Sequence, residues 1–264
     1  MKAPTTMDSA TAPVPAGIEA SEWALRLELA ACYRLFDYLG WTEMIFNHIT
    51  VRLPDTPGTG VHYLINPFGL HYAEVTASNL VKINLAGQIQ HASAYPVNAA
   101  GFVIHSSIHA ARPDAHCIMH THTTAGAAVA CKASGLRHDN FYSAMMFEDV
   151  AYHDYEGVTT SLEEQPRLVQ SLGTCHHLIL RNHGLLALGP DVPGTFNRLW
   201  TLQRACEIQL ASDAGTGPNR EIAADVLRRV PSTRLGASTG RSETNRMAFE
   251  AMLRRAGIDR KALA

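Results

Sequence analysis

Apolar and polar positions recur along this chain in two periods, and the switches between them predict its elements. Over 18–39 the apolar residues Trp23, Leu25, Leu27, Leu29, Leu35 and Leu39 recur among charges at helical spacing, and Gly40 supplies a stop. The segment 47–53 changes to alternation through His48, Ile49, Thr50, Val51 and Arg52, which predicts a strand. The Pro- and Gly-bearing stretch 55–60 is a turn into a second strand over 61–65, so the pair forms a hairpin. A turn at 66–69, a short helix over 75–79 and a strand over 80–85 follow.

A helix over 101–111 closes at Arg112-Pro113-Asp114. Beyond it the pattern predicts strands over 115–121, 149–153, 177–181 and 184–188, helices over 125–132 and 162–172, and a long amphipathic helix over 192–211. After the Gly/Pro break at 215–218 one or two more helices are expected. The Gly/Ser/Thr-rich stretch 232–242 reads as a mobile loop, and 244–255 as an amphipathic helix on Met247, Phe249, Met252 and Leu253. There is no internal repeat. Strands interleaved with helices predict an α/β fold, a three-layer α/β/α sandwich around a central mixed, largely antiparallel sheet. The main domain is expected over 18–214, preceded by a disordered lead-in over 1–17 with no apolar leader segment. The remaining 215–264 belongs to the same domain or to an oligomer interface.

The 264 residues, 46% of them hydrophobic, are enough for one large core. A formal net charge of −2 offers no basic field for nucleic acid or an anionic membrane, so the expected partners are small molecules and other subunits. No apolar run approaches the roughly 18 residues of a membrane span. The five cysteines, Cys32, Cys117, Cys131, Cys175 and Cys206, are scattered without CxxC spacing and read as buried free thiols, which suits a cytoplasmic protein.

The chemistry concentrates in Ile118-Met119-His120-Thr121-His122 and in Leu180-Arg181-Asn182-His183-Gly184. Two histidines at i, i+2 on a strand share a face. A third imidazole from another strand end would complete a three-nitrogen metal site with an open position, the layout of a catalytic metal. The exit of a buried strand is also where open α/β sheets bind ligands. The other histidines His105, His109, His116, His138, His176 and His177 each read first as hydrogen-bonded core groups.

Arg112-Pro113-Asp114, His120-Thr121-His122 and Arg181-Asn182-His183-Gly184-Leu185 together resemble the class II aldolase/adducin family, over 25–211. The resemblance implies a three-layer sandwich, a homo-oligomer of C4 tetramer type with sites at subunit interfaces, and a divalent metal, most often zinc, with iron, manganese or cobalt as alternatives. His120, His122 and His183 would be its ligands. The departures are informative. Family aldolases carry a glutamate, both ligand and acid/base, where this chain has Gly101 within Asn98-Ala99-Ala100-Gly101-Phe102. The phosphate-binding serines are Ala99 and Ala100, and the phosphate-holding Gly-Asn pair is Asn47-His48. A phosphate dianion needs several donors to offset its desolvation, so a sugar phosphate is not expected, and the pattern fits the adducin-type branch better.

Three residues are candidates for the lost acid/base role: Tyr142, close to where family aldolases supply a tyrosine from a neighbouring subunit, His48 and Glu148. Asn47, Gly101, Phe102 and His105 are the candidate substrate contacts, and Phe102, Phe141, Tyr142 and Phe147 an apolar pocket wall. The leading expectation is a metal-dependent carbon–carbon lyase, of retro-aldol or decarboxylation type, on a non-phosphorylated aromatic or apolar carbonyl or carboxylate compound. The alternatives are an adducin-like non-catalytic binding or assembly module that retains a metal, and a non-haem iron oxygenase on the same scaffold.

Overall fold

The computed structural model describes residues 13–55, 60–158, 161–233 and 241–264. Most of the expected lead-in, the middle of the 55–60 turn and positions 234–240 of the predicted C-terminal loop lie outside them.

Helix α1 (Ala20–Tyr38) leads into β1 (His48–Arg52) and β2 (His62–Ile65), which pair antiparallel with Thr50 opposite Ile65. The short helix expected over 75–79 is displaced. A 3-10 turn spans Tyr72–Glu74, capped by His71, while Thr76 and Asn79 exchange side-chain bonds with each other's backbone N–H at 2.9 and 3.3 Å. Such local bonds hold a turn at the expense of a helix. Next come β3 (Val81–Asn84), α2 (Ala99–Ala111), β4 (Cys117–Thr121) and α3 (Thr124–Ala130). Asn98 and Thr123 cap the two helices by accepting from the N–H groups of Gly101 and Gly126. A one-turn helix, α4 (Phe141–Ala144), follows behind an Asn140 cap.

The second half runs through β5 (Val150–His153), α5 (Gln165–Leu172), β6 (His177–Leu180), β7 (Gly184–Gly189), α6 (Val192–Asp213), α7 (Ala224–Thr233) and α8 (Arg241–Ala256). Both ends of the predicted 232–242 loop are therefore helical.

The strands form one seven-stranded mixed sheet in the order β3-β2-β1-β4-β7-β6-β5, parallel at β5–β6 and antiparallel elsewhere. The α/β class and the largely antiparallel sheet are as the periodicity predicts. Each face carries a core. Ile49, Val51, Cys117 and Met119 pack with residues of α1 and α6, whereas Ile118, Leu178 and Leu186 pack with Ile104 and Ile108 of α2 and Leu168 and Leu172 of α5. The strand period of two therefore turns His48, Thr50 and His120 toward the α2 side. Phe249, Leu253 and Leu263 join the α1/α6 core, but Met247 is exposed. Cys32, Cys117 and Cys206 are buried free thiols as expected, while Cys131 is exposed and Cys175 half-buried, because both lie where the chain leaves a helix or enters a strand. No described helix is long and apolar enough to cross a membrane.

Candidate metal centre

The sheet order brings the three histidines of the sequence pattern together. β6 returns as β7 through the tight turn Arg181-Asn182-His183, and β7 lies antiparallel beside β4, with Thr121 opposite Leu185. The start of β7 thus meets the end of β4. Asn182 adopts φ 57°, a left-handed conformation that asparagine accepts more readily than most residues. At Gly184 a Cβ would collide with the carbonyl oxygen of Thr121, so only glycine lets the two strand ends close.

The Nε2 atom of His120 lies 2.7 Å from that of His122 and 3.3 Å from that of His183, and the latter two are 2.9 Å apart. His120 Nδ1–H donates to the Leu185 carbonyl at 2.8 Å, so in the neutral ring Nε2 carries a lone pair. Burial, with neighbouring imidazoles, holds His120 well below the ordinary histidine range; burial lowers His122 and brings His183 to about 4. Three neutral imidazoles with no carboxylate among them are a donor set able to hold a divalent metal of the zinc or iron kind.

Asn47 supports this set from behind. Its Oδ1 accepts from the His122 backbone N–H at 2.9 Å, and its Nδ2 donates to the Trp41 carbonyl at 3.0 Å and to Glu43 Oε2 at 2.5 Å. The side chain expected to contact substrate is fully buried and holds His122 in place.

Gly101 likewise serves a neighbouring side chain. His48 is the cross-strand partner of His120, with ring centroids 4.9 Å apart, and its ring lies over Gly101. A Cβ at 101 would stand 2.8 Å from His48 Cγ. An imidazole therefore fills the space where a glutamate side chain would begin. His105 stands behind His48, with Nε2 3.0 Å from His48 Nδ1.

The remaining expectations do not converge on the triad within one chain. Phe102 packs toward Tyr63, Ile65, Val81 and Ile83. Tyr142 packs edge-on against Trp200, 5.5 Å between centroids, and Phe147 against His138 at 5.3 Å. Phe141 is 69% exposed. Glu148 is exposed at φ 64° just before β5, and the register Val150 to His177 puts that strand start beside the start of β6, whereas His183 follows its end.

A cavity of about 450 Å³ opens on His48, His122 and His183. Its walls are Phe46, Phe68, Ile104, Tyr155 and Val158, with Asn98, Asn182 and Gly157, and no lysine or arginine is among these described residues. The aromatic wall is real but built from different residues than the sequence suggested. Phe46, Phe68 and Tyr155 lie in connections beside strand ends, where no periodicity marks them.

The fold and this site correspond to a known class. Residues 27–210 match the model of the Class II Aldolase and Adducin N-terminal domain, and the chain belongs to that family. A Pseudomonas aeruginosa protein, whose name assigns it to aldolase class 2 only provisionally, is 41% identical over 254 residues, covering 95% of this chain and 96% of its own. Alpha-adducin of Mus musculus is 43% identical over 245 residues, 88% of this chain but 33% of the adducin. Among solved structures, an aldolase II superfamily protein from Pseudomonas syringae superposes with a TM-score of 0.83 at 39% identity, covering 90% of this chain and 94% of that one. L-fuculose 1-phosphate aldolase from Glaciozyma antarctica superposes at 0.77 with 28% identity, covering 93% of each.

Proposed function

We propose that this chain is a metal-dependent carbon–carbon lyase of the retro-aldol or decarboxylation type, acting on a non-phosphorylated carbonyl or carboxylate compound with an apolar portion. The observation that carries this is the convergence of His120, His122 and His183 beside a cavity with apolar walls and no lysine or arginine among its described lining residues. The three Nε2 atoms would hold a divalent ion, zinc first and iron, manganese or cobalt next; when bound, it supplies Lewis-acid polarisation of a substrate carbonyl or carboxylate.

His48 takes over the proton handling that the resemblance gives to a glutamate at position 101. In a retro-aldol cleavage its Nε2 accepts the proton of the substrate hydroxyl while the carbon–carbon bond breaks toward the polarised carbonyl. The same proton then returns to the carbon left electron-rich. Phe46, Phe68, Ile104, Tyr155 and Val158 hold the apolar portion and exclude water, and Asn98 and Asn182 offer amides to its polar end. Apart from the metal itself, a phosphate would find no lysine or arginine among the described lining residues to offset its desolvation. Tyr142 and Glu148 enter this site only from another copy of the chain, in the tetramer that the resemblance implies, for which native mass is the check.

The second reading is a non-catalytic, adducin-like module that retains the metal, favoured by the 43% identity with alpha-adducin. One experiment separates them: metal analysis of the purified protein, then NMR detection of carbon–carbon cleavage across hydroxycarbonyl and carboxylate compounds with and without phosphate. We expect about one ion per chain and cleavage of a non-phosphorylated compound, lost in His48→Ala. Metal without turnover supports the module, oxygen uptake dependent on ferrous iron indicates the oxygenase, and absence of stoichiometric metal sinks all three.

A further inference from the structure

His105 and His109 follow Gly101 at i+4 and i+8 along α2, so the three share one stripe of the helix. That stripe faces His48 and Thr50, which share one face of β1. The result is a continuous buried chain of contacts. His48 Nδ1 is 3.0 Å from His105 Nε2, His105 Nδ1 is 2.8 Å from Thr50 Oγ1, Thr50 Oγ1 is 2.7 Å from His109 Nε2, and His109 Nδ1 is 2.7 Å from the Ala115 carbonyl oxygen. All four side chains are 3% exposed or less.

The direction of every bond follows from the last acceptor. A carbonyl oxygen cannot donate, so His109 Nδ1 carries the proton, and in the neutral ring Nε2 is an acceptor. Thr50 must then donate to His109, which leaves its oxygen to accept from His105 Nδ1–H. His105 Nε2 is in turn left to accept from His48 Nδ1–H. Burial keeps His109 neutral, bringing it down to about 3, and pushes His105 well below the ordinary range.

We propose that the Ala115 carbonyl, His109, Thr50 and His105 form a one-way hydrogen-bond chain that locks His48 in the Nδ1–H tautomer and turns its unprotonated Nε2 to the cavity. His105, Thr50 and His109 are positioning residues. Because the chain ends on a carbonyl, it sets tautomer and ring orientation instead of leading a proton out. Among the described residues nothing hydrogen-bonds His48 Nε2. The lock explains together why position 101 is glycine, which admits the ring, and why α2 carries histidines at the next two turns. Its value for catalysis rests on the proposed proton role of His48; the tautomer itself does not.

The test is two-bond 1H–15N correlation NMR of the full chain labelled with 15N-histidine at neutral pH, without metal and with zinc. Wild-type His48, His105 and His109 should all appear as neutral Nδ1–H rings, the opposite of the form neutral histidine favours in water. Thr50→Val keeps the side-chain shape and removes the hydroxyl, so His105 and His48 should both lose the single Nδ1–H state; Thr50→Ser should retain it. An Nε2–H ring at His48 in the wild type overturns the proposal, even if Thr50→Val does not fold. So does a folded Thr50→Val whose His48 spectrum is unchanged. With a cleavable substrate in hand, Thr50→Val should lower kcat by about tenfold or more with KM little changed, and Thr50→Ser should restore it. Nδ1–H tautomers without any turnover leave the lock standing and remove the lyase; turnover with an Nε2–H ring at His48 does the reverse.

Discussion

Histidines cluster at both ends of β6, and the two clusters meet the cost of burial differently. At its start, His176 places its backbone N–H and its Nδ1 on Asp149 Oδ1 at 2.8 and 2.9 Å, and His177 Nδ1 bonds the Asp149 carbonyl at 3.0 Å. Burial pushes the Asp149 carboxyl up, but the bonds from His176 and His177 outweigh it and hold it well below its ordinary range. Past the other end of β6, His183 faces His120 and His122 with no acid in the group. At the start of β6 the chain supplies its own acceptor to the Nδ1 of both imidazoles, although His177 Nε2 is buried without a partner among the described residues. At the other end the three Nε2 atoms face one another with no carboxylate, an arrangement that a cation from outside would satisfy together.

The largest expected effect separates the two ends directly. His120→Ala with His122→Ala should reduce bound metal from about one ion per chain to below about a tenth, with the circular dichroism spectrum preserved. Mass spectrometry of the desalted protein is the check, and retained metal would erase the distinction.

Acid comes next. The unfolded chain takes up protons at histidine near pH 6.5, whereas burial lowers His48, His105, His109, His120, His122 and His183 in the folded chain, His109 to about 3 and His183 to about 4. Stability is therefore full above about pH 6.5 and falls as pH drops below it through the lowered folded values. At about 1.4 kcal/mol per pH unit, His109 alone, brought from 6.5 to about 3, corresponds to several kcal/mol. Melting temperatures at pH 7.5, 6 and 5 should decline in that order, and added zinc should raise the first more than the last. A flat profile would contradict the neutral cluster.

Asp149→Ala should cost about 1–3 kcal/mol in denaturant unfolding, since it strips the His176 backbone N–H and ring of their side-chain acceptor, and leave metal content unchanged. A loss of metal there would show that the two ends are coupled. The smallest effect is expected from Glu148→Ala, within about 0.5 kcal/mol and without change in metal or turnover. A large loss of turnover would instead mean that another copy of the chain delivers this carboxylate.

Much of this was readable along the chain, and the failures share a cause. The strands, the long helices and the β1–β2 hairpin follow their periods because those depend on neighbours a few residues away. The triad was readable too, since i, i+2 on a strand and a histidine in a strand-exit turn are local features. Phe102 does not face the triad because adjacent positions on a helix do not share a face: Gly101 looks onto His48, and Phe102 looks onto β2 and β3. Chemistry and resemblance mark Tyr142 and Glu148, and neither says which strand end a loop reaches. The histidines at 105 and 109 read singly as core groups. Their spacing on α2 and the alternation on β1 were both visible, but not that the two stripes face each other.

The sequence by itself determined the strand ends on which His120, His122 and His183 sit and the glycine at 101, since each depends on short-range geometry and residue type. Tertiary structure decided that β4 lies between β1 and β7. That placement rests on strand pairing between distant segments. It set three imidazole Nε2 atoms against one another, laid the His48 ring over Gly101, and ran a chain of hydrogen bonds from the Ala115 carbonyl to the cavity.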